Sequence, residues 1–400
     1  MTKLKLPEEK AVPTLPGEVA VRWLRTGAGG LEAMLEAIAG ASRSILFEMY
    51  IFKPGPLGER FRDALLAARL RGVRVQVLLD AFGSLGLSAD FWNPLVQLGG
   101  ECRWFNAFRA AERYGRRNHR KLLVVDGRHA IVGGFNVAEE YNGDGVASGW
   151  RDLGMWISGP PAVALEASFA KLFAAADSRP KAFGLFRKAA ATTVQGDNWT
   201  LLLSEPGRGG HRALKRALLG DLAHAQRVRI LCGYFAPTRR LRQALMGAAR
   251  RGARVQLILA GRSDVEITRL AAHSLYAKLM RAGVEIYEYQ PQILHAKLFV
   301  IDSVVFAGSA NLDARSLNIN HELTLRIDNE EITAQARELF DGDLRHCLRI
   351  DPGTWRASRS LLLRVLERVA HFLVARIDPY ITSLRWRTRA NAVLEKHRRR

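Results

Sequence analysis

Two histidines, two lysines and two asparagines stand at matching places in this 400-residue chain. His119, Lys121 and Asp126 spell His-x-Lys-x-x-x-x-Asp, and Gly133, Gly134 and Asn136 follow. His295, Lys297 and Asp302 spell it again, followed by Gly308, Ser309 and Asn311. Brought to one place, these side chains would surround a phosphodiester with a nucleophile, a proton source and several donors. A neutral imidazole can attack phosphorus and become a phosphohistidine, while a protonated one delivers a proton to the departing alcohol. The lysines and asparagines would stabilise the charge that builds on the phosphoryl oxygens. Such chemistry calls for no metal and no cofactor. In an extended segment residues two apart share a face, so each His and its Lys can address one phosphate. Asp126 and Asp302 complete the motifs from beyond that strand, where they brace it rather than touch substrate. The small Gly133-Gly134 and Gly308-Ser309 pairs would let backbone amides approach anionic oxygens, with Asn136 and Asn311 adding side-chain donors.

The elements that must position these groups repeat as well. Tyr50 and Tyr234, Gly72 and Gly252, and His119 and His295 are offset by 184, 180 and 176 residues. Residues 71–79, RGVRVQVLL, return at 251–259 as RGARVQLIL, each spelling a helix end, a glycine turn and a buried strand. The chain therefore reads as a duplication with one site shared between its halves. Alternation predicts strands at 18–24, 44–52, 73–79 and 121–125, a helix over 31–38, and a further helix from Pro160 to about Asp177. The expected organisation is an N-terminal segment 1–17, a first half 18–177, a basic linker 178–197, a second half 198–350 and a basic amphipathic tail 351–400. The fold class is α/β, with a mixed β-sheet flanked by helices in each half.

Composition bounds the partners. A hydrophobic content of 48% supports sizeable cores, and 60 Lys plus Arg against 39 Asp plus Glu give a formal net charge of +21. So basic a surface attracts anions, and both nucleic acid and anionic lipid qualify. Cys102, Cys232 and Cys347 are too few and too far apart for a disulfide framework or a zinc site, and they suit a reducing cytosol. No apolar stretch reaches the ~18 residues of a membrane span, and the first residues lack an apolar signal core. A lipid substrate would be reached from the membrane surface. The tail from Leu361 to Ile377 keeps a broad apolar face apart from Arg364, Arg368 and His371, and Arg385, Trp386, Arg387 and Arg389 follow. Two readings fit it equally: an interfacial membrane helix with basic anchors, or a helix docked on the protein's own core. Residues 181–188 read as a basic loop.

The paired motifs, the Gly-x-x-Asn after each, and the acids in Trp150-Arg151-Asp152 and Asn320-His321-Glu322 resemble the phospholipase D superfamily. Within it, residues 48–52, 78–84, 234–237 and 308–313 are similar to bacterial cardiolipin synthase B, and the likeness spans roughly residues 18 to 350. The resemblance implies a phosphatidyltransferase that moves a phosphatidyl group from one phosphatidylglycerol to another and releases glycerol. It implies His119 as nucleophile and His295 as acid/base, with Glu322 orienting His119 and Asp152 orienting His295 across the halves. It also implies a peripheral protein on the cytoplasmic face of a bacterial inner membrane. Hydrolysis of phospholipid to phosphatidic acid is the near alternative, decided by how dry the acceptor pocket is. A superfamily nuclease would suit the charge, but nothing resembles a nucleic-acid-binding motif. A non-enzymatic scaffold would have lost a motif residue, and none is lost. Tyr50 and Tyr234 read as core or as site mouth, Glu48 faces Cys232 in the repeat with no acidic counterpart, and the eight other histidines read as structural. Nothing in the residues specifies an oligomeric state.

Overall fold

A computed structural model describes residues 19–106, 117–176, 193–205 and 210–377. The apolar runs of the sequence become strands buried on both faces. Along 122–125, Leu122 and Val124 enter one core while Leu123 and Val125 enter another, and along 298–301 Leu298 and Val300 divide from Phe299 and Ile301 in the same way. A strand covered on both sides has no polar face to spell, which is why these segments read as unbroken apolar text.

Among the described residues the first sheet contains β1 (Ala20–Leu24), β2 (Ser44–Met49), β3 (Arg74–Asp80), β4 (Glu101–Phe105), β5 (Leu122–Val125), β6 (His129–Gly133) and β7 (Gly154–Ser158). Its order is β1-β7-β6-β5-β2-β3-β4. The second contains β8 (Thr193–Gln195), β9 (Trp199–Ser204), β10 (Arg227–Cys232), β11 (Arg254–Ala260), β12 (Glu285–Tyr289), β13 (Lys297–Ile301), β14 (Val304–Gly308), β15 (Glu322–Asp328) and β16 (Cys347–Arg349). Its order is β16-β12-β11-β10-β13-β14-β15-β9-β8. Without the edge strands β8 and β16 the two orders correspond strand for strand. β2 runs parallel to β3 and antiparallel to β5, and β10 runs parallel to β11 and antiparallel to β13.

Helices α1 (Gly27–Gly40), α2 (Pro56–Leu70) and α3 (Asn93–Gln97) pack on the outer face of the first sheet. Helix α4 (Pro160–Ala176) contributes to a central core, whereas α5 (Arg212–His224), α6 (Arg239–Arg250) and α7 (Glu266–Met280) cover the outer face of the second sheet. After the short α8 (Ala314–Asn318), α9 (Glu330–Leu344) joins α4 in the central core, and α10 (Pro352–Ala357) and α11 (Leu361–Phe372) lie against α7. That central core takes Leu122, Val124 and Met155 from the first sheet and Leu298, Val305 and Leu325 from the second, so the halves share one interior. No helix among the described residues is long and apolar enough to cross a membrane.

The repeated glycines stop matching helices. Gly72 and Gly252 have φ of 88° and 97°, a region that side-chain-bearing residues rarely adopt, and each follows a helix by two residues. Val73 N donates to Ala68 O and Ala253 N to Ala248 O, both at 3.1 Å, so each turn satisfies a helix-end carbonyl and sends the chain into β3 or β11.

The N-terminal segment 1–17, residues 178–192 of the expected linker and Arg385, Trp386, Arg387 and Arg389 of the tail lie outside the described residues. The last part of the expected linker forms β8, antiparallel to β9.

Candidate active site

Each motif begins just before a strand, and backbone hydrogen bonds stitch that lead-in to the other half. His119 N donates to His321 O at 3.0 Å and His321 N to Arg117 O at 2.8 Å. In the counterpart, His295 N and Ala296 N donate to Arg151 O at 2.8 and 3.0 Å, and Arg151 N donates to Ile293 O at 2.8 Å. The next residue after each stitch is an acid. Glu322 Oε2 therefore lies 3.1 Å from His119 Nδ1, and Asp152 Oδ2 lies 2.6 Å from His295 Nδ1. A carboxylate only accepts, so Nδ1 of each neutral ring carries the proton and Nε2 keeps its lone pair.

Both lysines are buried beside these rings. Lys121 Nζ donates to His119 O at 2.7 Å and sits 5.0 Å from the Tyr50 ring centroid. Lys297 Nζ lies 2.9 Å from Nδ1 and 3.2 Å from Nε2 of His295 and also donates to His295 O. Burial lowers the His119 pKa to about 4 against the pull of Glu322. Burial, aided by Lys297 and opposed by Asp152, lowers that of His295 to about 3. Loss of solvent also brings Lys121 down to about 7 and lowers Lys297. Burial opposes ionisation of Glu322 and Asp152, yet the imidazole and ammonium beside each hold both below the ordinary carboxylate value. The site thus crowds cationic groups that burial disfavours, and a phosphodiester anion entering it would raise their proton affinity.

The two carboxamides are also present. Asn136 Oδ1 accepts from Ile51 N at 3.0 Å, while its Nδ2, near the Tyr141 side chain, is buried outside hydrogen-bonding geometry. Asn311 is 2% exposed and its Oδ1 is likewise unpaired among the described residues. The rings of Tyr141, Trp150 and Tyr234 surround His295 at centroid distances of 5.3, 5.6 and 5.9 Å, and Tyr50 meets His119 at 4.9 Å.

The expected amide cradle at Gly134 and Ser309 is corrected by the structure. Gly134 N already donates to Leu153 O at 3.1 Å and Ser309 N to Leu323 O at 2.9 Å, so neither is offered to a phosphate. Their small size serves the carboxylates instead. A Cβ at Gly134 would collide with the Asp152 carboxylate, and Ser309 Oγ donates to Glu322 Oε2 at 2.5 Å.

Asp126 and Asp302 point away from the rings. With φ of 56° and 49°, each turns the chain out of the motif strand. Asp126 accepts from Ser42 N, Arg43 N and Ser44 N at 3.0, 2.7 and 2.9 Å, and Asp302 accepts from Gln226 N and Arg227 N at 3.0 and 2.8 Å. These bonds tie β5 to the start of β2 and β13 to the start of β10. Although partial burial opposes it, the backbone donors hold the Asp126 pKa at about 2. Asp126→Ala is expected to cost about 1–2 kcal/mol of stability by loss of those bonds. The contribution is present above the unfolded carboxylate pKa near 4 and is lost as pH falls toward about 2. Urea melts at pH 7 and pH 3 check this; an equal difference between wild type and variant at both would sink it.

Sequence reasoning missed a buried network behind the first motif. Asn118 Nδ2 donates to Glu48 Oε1 at 2.7 Å, Asn118 N donates to Asp80 Oδ2 at 2.8 Å, and Arg120 Nη2 pairs with Glu48 Oε2 at 3.0 Å. The repeat carries Cys232, Ala260, Leu294 and Ala296 at these positions, so the second motif rests on apolar packing instead. Glu48, left without a role by the repeat alone, anchors the residues on either side of His119. Also missed was Arg151, whose Nε and Nη2 meet Asp343 Oδ1 and Oδ2 at 2.6 and 2.8 Å, clamping the halves beside Asp152.

The chain is similar to known proteins along most of its length. Residues 34–172 and 218–344 match the family described as "Cardiolipin synthase, PLD-like domain", one match on each half. Cardiolipin synthase B of Escherichia coli strain K12 is 30% identical over 355 residues, covering 86% of each chain. Cardiolipin synthase A of Pseudomonas aeruginosa strain PAO1 is 34% identical over 365 residues, 87% of this chain and 71% of that protein. Among solved structures, phosphatidylserine synthase of Haemophilus influenzae Rd KW20 superposes with a TM-score of 0.68 at 14% identity, covering 90% of this chain and 94% of that one, and so shares the fold. Two sheets with corresponding strand orders, one interface site with two imidazoles, and similarity along most of the sequence lead to one assignment: the chain belongs to the phospholipase D-like cardiolipin synthase family.

Proposed function

We propose that the protein is a cardiolipin-forming phosphatidyltransferase whose two catalytic halves, 18–177 and 198–350, act together on phosphatidylglycerol at a membrane surface. The observation that carries this reading is the pair of cross-half imidazole–carboxylate bonds, His119 to Glu322 and His295 to Asp152, with a lysine buried beside each ring. Together with relatives named cardiolipin synthase, that chemistry favours phosphatidyl transfer.

In the proposed reaction His119 Nε2 attacks the phosphorus of one phosphatidylglycerol. The bond to the glycerol headgroup breaks, and protonated His295 supplies the proton that lets glycerol leave. His295 then takes the proton from a hydroxyl of a second phosphatidylglycerol, whose oxygen attacks phosphorus and displaces His119. Cardiolipin and glycerol are the products, and no nucleotide enters the balance. The family resemblance assigns His295 as the ring that takes up the proton; burial and Lys297 hold its pKa at about 3, below the about 4 of His119, so this role requires the anionic phosphodiester to raise it. Lys121, Lys297, Asn136 and Asn311 would meet the phosphoryl oxygens. The aromatic wall of Tyr141, Trp150 and Tyr234 around His295 supports an alcohol rather than water as acceptor. Three free cysteines and the lipid reading favour the cytoplasmic face of a bacterial inner membrane.

Mass spectrometry of phosphatidylglycerol vesicles incubated with the protein tests this. Cardiolipin and glycerol should appear with wild type and not with His119→Ala. Phosphatidic acid alone would make the protein a hydrolase, and untouched lipid with a digested DNA control would move it to nucleic acid.

A further inference from the structure

Helix α11 presents two apolar faces to different surroundings. Ala370 and, just past the helix, Val374 pack with Ala236, Ala271, Ile267 and Leu270. Glu367 is 4% exposed on the same side, where it lies 3.5 Å from Arg359 Nη1 and 3.9 Å from His273 Nδ1. The opposite side is bare: Leu361 is 77% exposed, Leu362 70%, Val365 46%, Leu366 50%, Val369 48% and Phe372 56%. At about 100° per residue these six fall on the half of the helix turned away from Glu367. No other helix among the described residues exposes more than two large apolar side chains. The docked reading of this segment thus holds for one face of the helix, and the other face is left bare.

Its position ties it to the active site. Ala236, against which α11 packs, is two residues beyond Tyr234, and Ala236 N donates to Leu312 O at 2.8 Å, next to Asn311. The docked face thus rests on the loop that carries a wall of the site, 5.9 Å from the His295 ring.

We propose that the bare face of α11 inserts into an anionic phospholipid surface and sets the mouth of the active site against the headgroup layer; this rests on the lipid-transfer reading above. Charge complementarity selects the occupant. Arg364 and Arg368 border the apolar face, Arg356 precedes it, and the chain as a whole carries +21. The acid of the helix, Glu367, is turned inward, so the bare face offers anionic lipid no repulsion. A handful of apolar side chains at headgroup depth is enough for reversible interfacial binding.

The test compares the full-length protein with the triple variant Leu362→Gln, Val365→Gln, Val369→Gln, which keeps charge and changes only exposed positions. Flotation with vesicles of phosphatidylglycerol and phosphatidylcholine should fall by about tenfold or more in the variant. Turnover of the same vesicles should fall with it, while turnover of phosphatidylglycerol dispersed in detergent changes by less than about twofold. A variant that floats as wild type does would overturn the proposal. So would a wild-type dimer that the substitutions split, which gives the face to a second copy, or wild-type flotation that appears only after deletion of residues 378–400, which gives it to that segment. If flotation differs as expected while neither protein turns over detergent-dispersed lipid, the docking surface stands and the transferase reading falls.

Discussion

Alanine in place of His119 or His295 is expected to lower phosphatidyl transfer by about 10⁴-fold or more, because in the proposed mechanism each ring carries a step that no neighbour can take over. The two losses differ in kind. With His295→Ala, a phosphatidylglycerol analogue with a good leaving group still allows His119 to attack, and the phosphatidyl group should remain on His119, visible as an added mass on its peptide. With His119→Ala no adduct forms. An adduct on His295 in the His119→Ala protein would exchange the two roles, and turnover within about tenfold of wild type in either variant would remove the two-histidine mechanism. Vesicle binding should be unchanged in both, since neither residue lies on α11.

The carboxylates across the interface come next in expected size. Asp152→Asn and Glu322→Gln keep the shape of each side chain but remove the anion that fixes the tautomer and supports an imidazolium, and turnover should fall by about 10³–10⁴-fold. Their pH profiles separate the roles. Asp152 raises the His295 pKa, so its loss lowers the pH at which the proposed acid gives up its proton, and the alkaline limb moves down. Glu322 raises the His119 pKa, so its loss lets the nucleophile stay neutral to lower pH, and the acid limb moves down. Profiles in which Asp152→Asn moved the acid limb instead would interchange the histidines, and a thermal melt of each variant guards against a merely structural effect.

Much of the fold was legible because duplication makes a sequence its own comparison. The drift of offsets from Tyr50 to His119, and the glycines at 72 and 252, pointed to matching helix–turn–strand units, and the sheets have corresponding strand orders. Two imidazoles and two lysines at strand spacing gave phosphodiester chemistry without any family knowledge. The orienting acids came only from resemblance, since 203 residues separate His119 from Glu322 and no local pattern spans that distance. The network of Glu48, Asp80, Asn118 and Arg120 stayed invisible for a related reason. It joins two strands to the segment leading into a third, and the repeat, which exposes shared features, hides one that only one copy has. Gly134 and Ser309 showed that something must come close but not what; the carboxylates take the space that a phosphate was expected to use. The amphipathic pattern of α11 left two readings open because periodicity reports faces and not their neighbours.

The crossed carboxylates also set a condition on when the proposed chemistry can begin. A nascent chain that has folded only its first half holds His119 and Lys121 but lacks Glu322, and it holds Asp152 with no ring to orient. The proposed nucleophile gains its acceptor only when β15 takes its place between β14 and β9. Truncated or half-folded protein thus lacks one of the two histidines and the crossed carboxylates that the proposed reaction needs, and the proposed chemistry waits until both halves have folded together.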